Sequence, residues 1–389
     1  MSSIEIQGQV DDGFSAVADA FAANFVEHGE VGAGFCLYVD GQKRVDIAAG
    51  VADTADGRAY DHDTLQLVFS TTKGAAAICI AQLVQAGKLR YDDLVADHWP
   101  EFAAGGKGAV TVSQMMSHQA GLFTVDNPPS FDDVLAVTPI VEALAAQAPL
   151  WEPGTNHGYH ALTYGWLAGE LVRRVDGRDI GTYFAEEVAG PLGLDFWIGL
   201  PESEEPRVAP LIAAPPPTDM TAEELQLMIQ VMGPGTNGNR ALTLDGTINA
   251  LEGDNPFNTR EVHATQMPAA NGITTAASLA RMYAATIGDV DGVRLLNTDT
   301  MDAMRAEQVR GPDGCLVMES RFGQGMMLHG ELVPLIQDGS YGHAGAGGSL
   351  GYANPELGVG YGYVMNQMSA GLAGDPRTIG LNDAVQACL

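Results

Sequence analysis

The stretch Val68-Phe69-Ser70-Thr71-Thr72-Lys73, continued by Ala75-Ala76-Ala77-Ile78-Cys79-Ile80-Ala81 and closed by Gly87, decides how the rest of the chain is read. Its alanine- and isoleucine-rich run predicts a buried helix from Ser70 to about Ala86, with the glycine just past its end. On such a helix Ser70 and Lys73 lie one turn apart on the same face. A serine hydroxyl is a poor nucleophile alone, and a lysine can take its proton only when uncharged. Burial among apolar neighbours lowers the amine's pKa and supplies that condition. The amino end of the helix adds free N–H groups able to hold an oxyanion. Ser-x-x-Lys is short enough to arise by chance, so the reading depends on what surrounds it.

Upstream, Phe14, Val17, Phe21 and Phe25 recur at helical steps and predict a helix over 14–28. Phe35, Leu37 and Val39 alternate up to Asp40-Gly41, and Val45 and Ile47 alternate away from it, which predicts a tight hairpin. Downstream, helical periodicity is clearest at 138–148, 160–174 and 275–287, with Ala214-Pro215-Pro216-Pro217 and Gly233-Pro234-Gly235 as loops. The tail returns to strand character at 321–328, 330–336, 349–353 and 358–366, turns at Asn354-Pro355-Glu356, and ends in a helix near 376–388. The expected fold is mixed α and β: an antiparallel sheet of early hairpin and late strands, flanked by the first and last helices, plus a mostly helical lobe. In these terms residues 1–69 and 335–389 form a discontinuous α/β lobe and 70–334 a mostly helical lobe with inserted loops. The cleft between them is the expected active site.

Composition narrows the partners. The chain has 389 residues, 46 % of them apolar, enough for a large core. Its 49 acidic residues against 19 basic ones give a charge of -30, so nucleic acid and anionic membranes would be repelled. The opening Met1-Ser2-Ser3-Ile4-Glu5 has no basic start and no apolar run, so neither a signal peptide nor an anchor is expected. Cys36, Cys79, Cys315 and Cys388 lie far apart without Cys-x-x-Cys spacing, which argues against a metal knuckle or redox pair; the apolar surroundings of Cys36 and Cys79 predict buried inert thiols, and a reducing cytoplasm is expected. His157 and His160 have a His-x-x-His spacing, but no further cluster completes a zinc set, and neither metal nor cofactor is expected. The expected partner is a small molecule; assembly into a homo-oligomer is compatible with the sequence but not specified by it.

Ser70-Thr71-Thr72-Lys73, then Ser117-His118-Gln119-Ala120-Gly121-Leu122, Trp151-Glu152-Pro153-Gly154, Gly158-Tyr159-His160-Ala161 and His343-Ala344-Gly345 follow one another in order. Together they resemble the motifs of penicillin-recognising serine enzymes, and more narrowly esterases similar to class C β-lactamases, the family VIII carboxylesterases. The resemblance implies a β-lactamase-like fold over about residues 30–370. It implies that Tyr159 hydrogen-bonds Ser70 and Lys73 and relays protons, and that the N–H groups of Ser70 and Ala346 form the oxyanion hole. His343 is expected either to tune Tyr159 by a hydrogen bond or to be a structural histidine. Gly345 is expected along the cleft, and Gln119 and Asn271 are expected either to line it or to be loop-forming polar residues.

Two departures from the family pattern bear on substrate. Ala161 stands where asparagine commonly reaches the amide of β-lactams, and His343 stands where a lysine binds their carboxylate. An uncharged ester needs neither contact, so a serine carboxylesterase acting on small esters is the expected activity. The alternatives are a β-lactamase, a D-amino-acid peptidase or an acyltransferase on the same fold, and, from another class, a non-catalytic binding protein. Gly347-Gly348-Ser349-Leu350-Gly351 also fits the Gly-x-Ser-x-Gly elbow of α/β-hydrolases. That fold needs its histidine after the serine, and every histidine here precedes Ser349.

Overall fold

The computed structural model describes residues 4–215, 220–250, 255–371 and 374–389. Pro216 and Pro217, half of the expected proline-rich loop, lie outside them, as do Met1 to Ser3. The helix Ser15–Glu27 forms where the phenylalanine spacing predicts it, burying Val17 and Phe21. It leads into the hairpin Gly32–Val39 and Gln42–Asp53. Asp40 and Gly41 both have positive φ, 51° and 74°, the geometry that lets a two-residue turn match the twist of its strands.

Among the described residues ten strands form one antiparallel sheet. The late strands Tyr341–Ala344, Leu350–Asn354 and Val359–Met365 extend it in sequence, and Val359–Met365 pairs directly with the early strand Gly32–Val39. The first helix and the last, Pro376–Cys388, pack together, while Ala276–Ile287 packs against Gly32–Val39, Leu350–Asn354 and Val359–Met365. Gly360 and Gly362 allow that approach, since a Cβ at either would meet the backbone of Ala280 or Ala284, or of Ala276 or Ala280. The architecture is therefore the expected mixed α and β fold, an antiparallel sheet flanked by helices.

The strand assignments change in five places. Residues 330–336 form no strand: Pro334 has no N–H to donate, and the side chains of Leu332, Val333 and Leu335 are buried in an apolar cluster rather than laddered on the sheet. The expected strand 321–328 is two, Glu319–Phe322 and Met327–Leu328, folded back through Gly325 at φ 81°. Those two strands, with Val309–Pro312, extend the sheet into residues 309–328, well upstream of position 335. Ile6–Val10 adds an outer strand that its polar, glycine-containing sequence does not announce. A second small sheet, Leu65–Leu67 with Phe196–Trp197, Val208–Ala209 and Ile273–Thr274, ends just before the Ser70 segment. No helix among the described residues is long and apolar enough to cross a membrane.

Candidate active site

The strand Leu65–Leu67 runs into the helix Thr72–Gln85 through Phe69, whose φ of 43° lies in the left-handed region. A bulky residue there costs on the order of 1–3 kcal/mol and persists only when its surroundings impose it. Here Val68 N–H bonds to Gly272 O at 2.9 Å, and the Phe69 ring meets Phe257 edge-on at 4.9 Å. The sharp turn presents Ser70 at the head of the helix, where it lines a cavity of about 180 Å³ with Tyr159, Gly345 and Ala346.

Lys73 is wholly buried behind Ser70, within a helix whose Ala75 to Ala81 are all buried. Its Nζ lies 3.0 Å from Ser70 Oγ, 2.6 Å from Ala161 O and 3.0 Å from Ala269 O. Burial holds its pKa well below the ordinary lysine value, with no carboxylate opposing the shift. An uncharged amine has two N–H groups and one lone pair. The two carbonyls can only accept, so they take both N–H groups and leave the lone pair directed at the Ser70 hydroxyl.

Tyr159 is buried and hydrogen-bonded to Ser70, whereas the expected bond to Lys73 is replaced by a ring contact, with Lys73 Nζ 4.7 Å from the Tyr159 ring centre and bonded to Ser70, Ala161 O and Ala269 O instead. Burial pushes the Tyr159 pKa up against the opposing effect of its hydrogen bond with Ser70, so the phenol is protonated. Its ring lies between Phe322, nearly parallel at 6.0 Å, and His343 at 5.9 Å. His343 therefore stacks on Tyr159. Its Nδ1 donates to Ala344 O at 2.6 Å, and Nε2 has no partner among the described residues. The expected hydrogen bond from His343 to Tyr159 is absent.

Burial also favours the neutral form of three histidines packed around the site, His118, His157 and His160. His160 donates from Nδ1 to Gly158 O and accepts Leu122 N–H at Nε2, and burial lowers its pKa to about 4. His118 accepts His160 N–H at Nδ1. His157 donates to Ser320 Oγ. The pKa values of His118, His157 and His343 are lowered, in each case chiefly by burial. The His-x-x-His pair is thus committed to hydrogen bonds.

Asp313 was not marked by the sequence reading. Buried between strands, its Oδ1 accepts the N–H groups of Tyr159, Cys315 and Leu316 at 3.0, 2.8 and 2.9 Å, and Oδ2 accepts Ser320 O–H at 2.9 Å. It fixes the backbone from which Tyr159 projects. Only the Asp313-Gly314 turn signal was visible in sequence, and that signal says nothing about chemistry.

Of the two readings open for Gln119 and Asn271, the structure has the loop-forming one. Gln119 does not line the cavity: its side-chain amide donates to Ser117 Oγ, and its carbonyl braces Trp151 Nε1 at 3.2 Å. Asn271 is fully buried and clamps its own loop, accepting Met267 N–H and donating to Val262 O and Thr265 O, which holds the turn carrying Ala269 O. Gly345 does line the cavity, and a Cβ there would collide with Ser349 Oγ and Val68 O. Ser349 itself is buried, donating to Val68 O at 2.9 Å and contacting Thr71 Oγ1 at 3.1 Å. Its hydroxyl ties two loops together and has no histidine beside it.

The family model described as Beta-lactamase matches residues 17–384. The esterase/β-lactamase LipL of Mycobacterium tuberculosis is 36 % identical over 368 residues, which are 93 % of this chain and 83 % of that protein. Among solved structures, a family VIII carboxylesterase is 37 % identical with a TM-score of 0.88, covering 99 % of this chain and 100 % of its own. A penicillin-binding protein homologue from Caulobacter crescentus is 39 % identical with a TM-score of 0.87 at the same coverage. With a likeness that runs nearly end to end in both sequence and fold, the chain belongs to the β-lactamase family of penicillin-recognising serine enzymes and is a serine hydrolase.

Proposed function

We propose that the chain is a carboxylesterase that hydrolyses small uncharged esters through an acyl-enzyme on Ser70. The observation that carries the ester reading is the cavity lining. Leu242, Leu316, Met327, Leu332, Val333 and Pro334 make it apolar, and none of its described lining residues is Lys or Arg. His343, where a carboxylate-binding cation would be expected, is neutral. A β-lactam or a D-amino-acid peptide would bring a carboxylate into a cavity with no cation to receive it, beside Asp375. An ester brings none.

The geometry supports the following sequence. Ser70 Oγ attacks the ester carbonyl while its proton passes to the Lys73 lone pair. The N–H groups of Ser70 and Ala346 hold the oxyanion. As the carbon–alkoxide bond breaks, Tyr159 gives its hydroxyl proton to the leaving oxygen and is reprotonated from Lys73. Water then attacks the acyl-enzyme, its proton returns through the same pair to Ser70, and the acid departs. Four free cysteines support a cytoplasmic setting, and no cofactor enters any step.

The test compares kcat/KM for p-nitrophenyl butyrate and for a chromogenic cephalosporin, with fluorophosphonate labelling located by mass spectrometry. The ester should be preferred and the label should sit on Ser70. Preference for the cephalosporin, or a label elsewhere, overturns the reading.

A further inference from the structure

We propose that Arg377, at the start of the C-terminal helix, is a positioning residue that holds the Ala346 N–H in place as an oxyanion donor. This rests on the esterase reading above. Arg377 is buried, its side chain only 2 % exposed. Its five N–H donors are all engaged: Nε with Asp375 Oδ1, Nη1 with Glu30 Oε2 and Gln367 O, and Nη2 with Asp375 Oδ2 and Gly347 O. A guanidinium has no sixth donor, so this one cannot also bind a substrate carboxylate. What it touches instead is the carbonyl of the residue that follows Ala346.

The loop Gly345 to Gly348 cannot hold its shape by local preference. Gly347 and Gly348 have φ values of 82° and 122°, and the segment has no side chain larger than the methyl of Ala346. Its shape comes from two walls. On the nucleophile side, Ser349 donates to Val68 O, and Gly345 N–H bonds to Ser349 O at 2.7 Å. On the other side, Gly347 O accepts from Arg377 Nη2 and from Ser369 N–H, and a Cβ on Gly348 would strike Arg377 Nη2 and Asp375 Oδ2. The first wall fixes the loop relative to Ser70. The second fixes the Gly347–Gly348 peptide, whose N–H donates to Gly345 O at 3.1 Å; that carbonyl shares its peptide plane with the Ala346 N–H and so sets its direction. Glu30 and Asp375 in turn fix the guanidinium plane, with Ser369 Oγ on Asp375 Oδ2 at 2.8 Å.

Arg377→Lys keeps a cation between Glu30 and Asp375 but has three donors on a single nitrogen, so it cannot serve all five acceptors. Removing one oxyanion donor outright costs about 100- to 1,000-fold in kcat, so misdirecting one should cost about 10- to 100-fold. In Arg377→Lys the kcat for p-nitrophenyl butyrate should fall by that factor while KM moves little. The inhibition constant of phenylboronic acid, whose tetrahedral adduct with Ser70 places an oxygen in the same hole, should weaken in parallel, and the acid limb of the pH profile should stay put. A merely structural role would lower the amount of active enzyme without changing boronate affinity per active site. Asp375→Asn, which loosens the guanidinium while keeping its size and neighbours, carries the test should the lysine variant not fold, and should show the same signature more weakly. Unchanged kcat and boronate affinity in the folded variant overturn the proposal. Boronate binding and ester turnover surviving in Ser70→Ala would instead overturn the esterase reading.

Discussion

Asp313 offers the sharpest test of how Tyr159 is held, because two substitutions separate its geometric role from its charge. Asp313→Ala leaves three buried N–H groups unpaired, those of Tyr159, Cys315 and Leu316. At about 1–3 kcal/mol each this sums to about 3–6 kcal/mol, allowing for some relaxation. That is a large part of the 5–15 kcal/mol or so by which a domain is stable, and Tyr159 would lose its anchor. Asp313→Asn keeps an oxygen for all three N–H groups. It loses charge assistance on each and escapes the burial of a charge, leaving about 1–2 kcal/mol of net cost. Ser320 must then accept from the new amide instead of donating, and His157 must adjust its tautomer. The catalytic sign follows from the charge. The Asp313 carboxylate raises the Tyr159 pKa, so its removal lets the phenol ionise at lower pH. With Tyr159 in the proposed role of protonated donor, the alkaline limb of kcat/KM should move to lower pH in Asp313→Asn, with kcat near neutrality within about ten-fold of the parent. Urea denaturation gives the stability terms, and pH profiles with p-nitrophenyl butyrate, corrected for spontaneous hydrolysis, give the limb. A folded Asp313→Asn whose alkaline limb stays put or moves up would refute this account of Tyr159.

Lys73 is buried with its pKa well below the ordinary lysine value, so its basic form exists above that lowered pKa: kcat/KM should fall on acidification through a limb well below the ordinary lysine pKa and hold from there up to the alkaline limb set by Tyr159, and an acid limb at the ordinary lysine pKa would contradict the assignment. Lys73→Met should cost about 10³- to 10⁴-fold in kcat/KM without unfolding the chain, read by esterase assay and circular dichroism. Ser70→Ala should lose both activity and fluorophosphonate labelling, whereas Ser349→Ala, missing one bond to Val68 O, should keep the label and slow turnover; the opposite pattern would return the nucleophile to Ser349. His160 has its pKa lowered to about 4 from an unfolded value near 6.5, so its contribution to stability is complete above pH ~6.5 and lost as pH falls towards 4, about 3 kcal/mol in all. Unfolding free energies between those pH values, taken in about 0.5 M salt to screen surface carboxylates, should fall with pH, and a flat or opposite slope would count against a neutral buried imidazole.

What could be read in advance follows from where the information is stored. The helix behind Ser70 was legible because side chains carry its signal: a buried alanine run and a terminal glycine. Asp40-Gly41 announced its hairpin because few other residues accept positive φ twice in succession. The partners of Lys73 were not legible. Ala161 O and Ala269 O are backbone atoms, available at any residue, and only the fold brings them 2.6 and 3.0 Å from the amine. The same holds for Gly347 O on Arg377. Asp313, far along the chain from Tyr159, serves it through a backbone N–H, so nothing in the motif around Tyr159 points to it. The segment 330–336 misled because apolar residues packed in a buried cluster and apolar residues facing a sheet leave the same pattern of leucine and valine.

In the mechanism proposed above, the neutrality of the site lets a chain of charge -30 run this chemistry with no Lys or Arg among the described residues lining the nucleophile's cavity. A serine activated by a charged lysine would need that lysine neutralised by a carboxylate, and the pair would then share the proton. Here burial alone discharges Lys73, the carbonyls of Ala161 and Ala269 orient it, and Tyr159 stays protonated beside it. Each group is in the protonation state its step requires before substrate arrives, so charge first develops on the oxyanion and on Lys73 in the same event. Those two charges form on opposite sides of Ser70 in a water-poor setting, where their attraction is least screened. The carboxylate product then finds no cation to hold it in the cavity and an acidic protein around it, so the feature that disfavours charged substrates also favours release of the charged product.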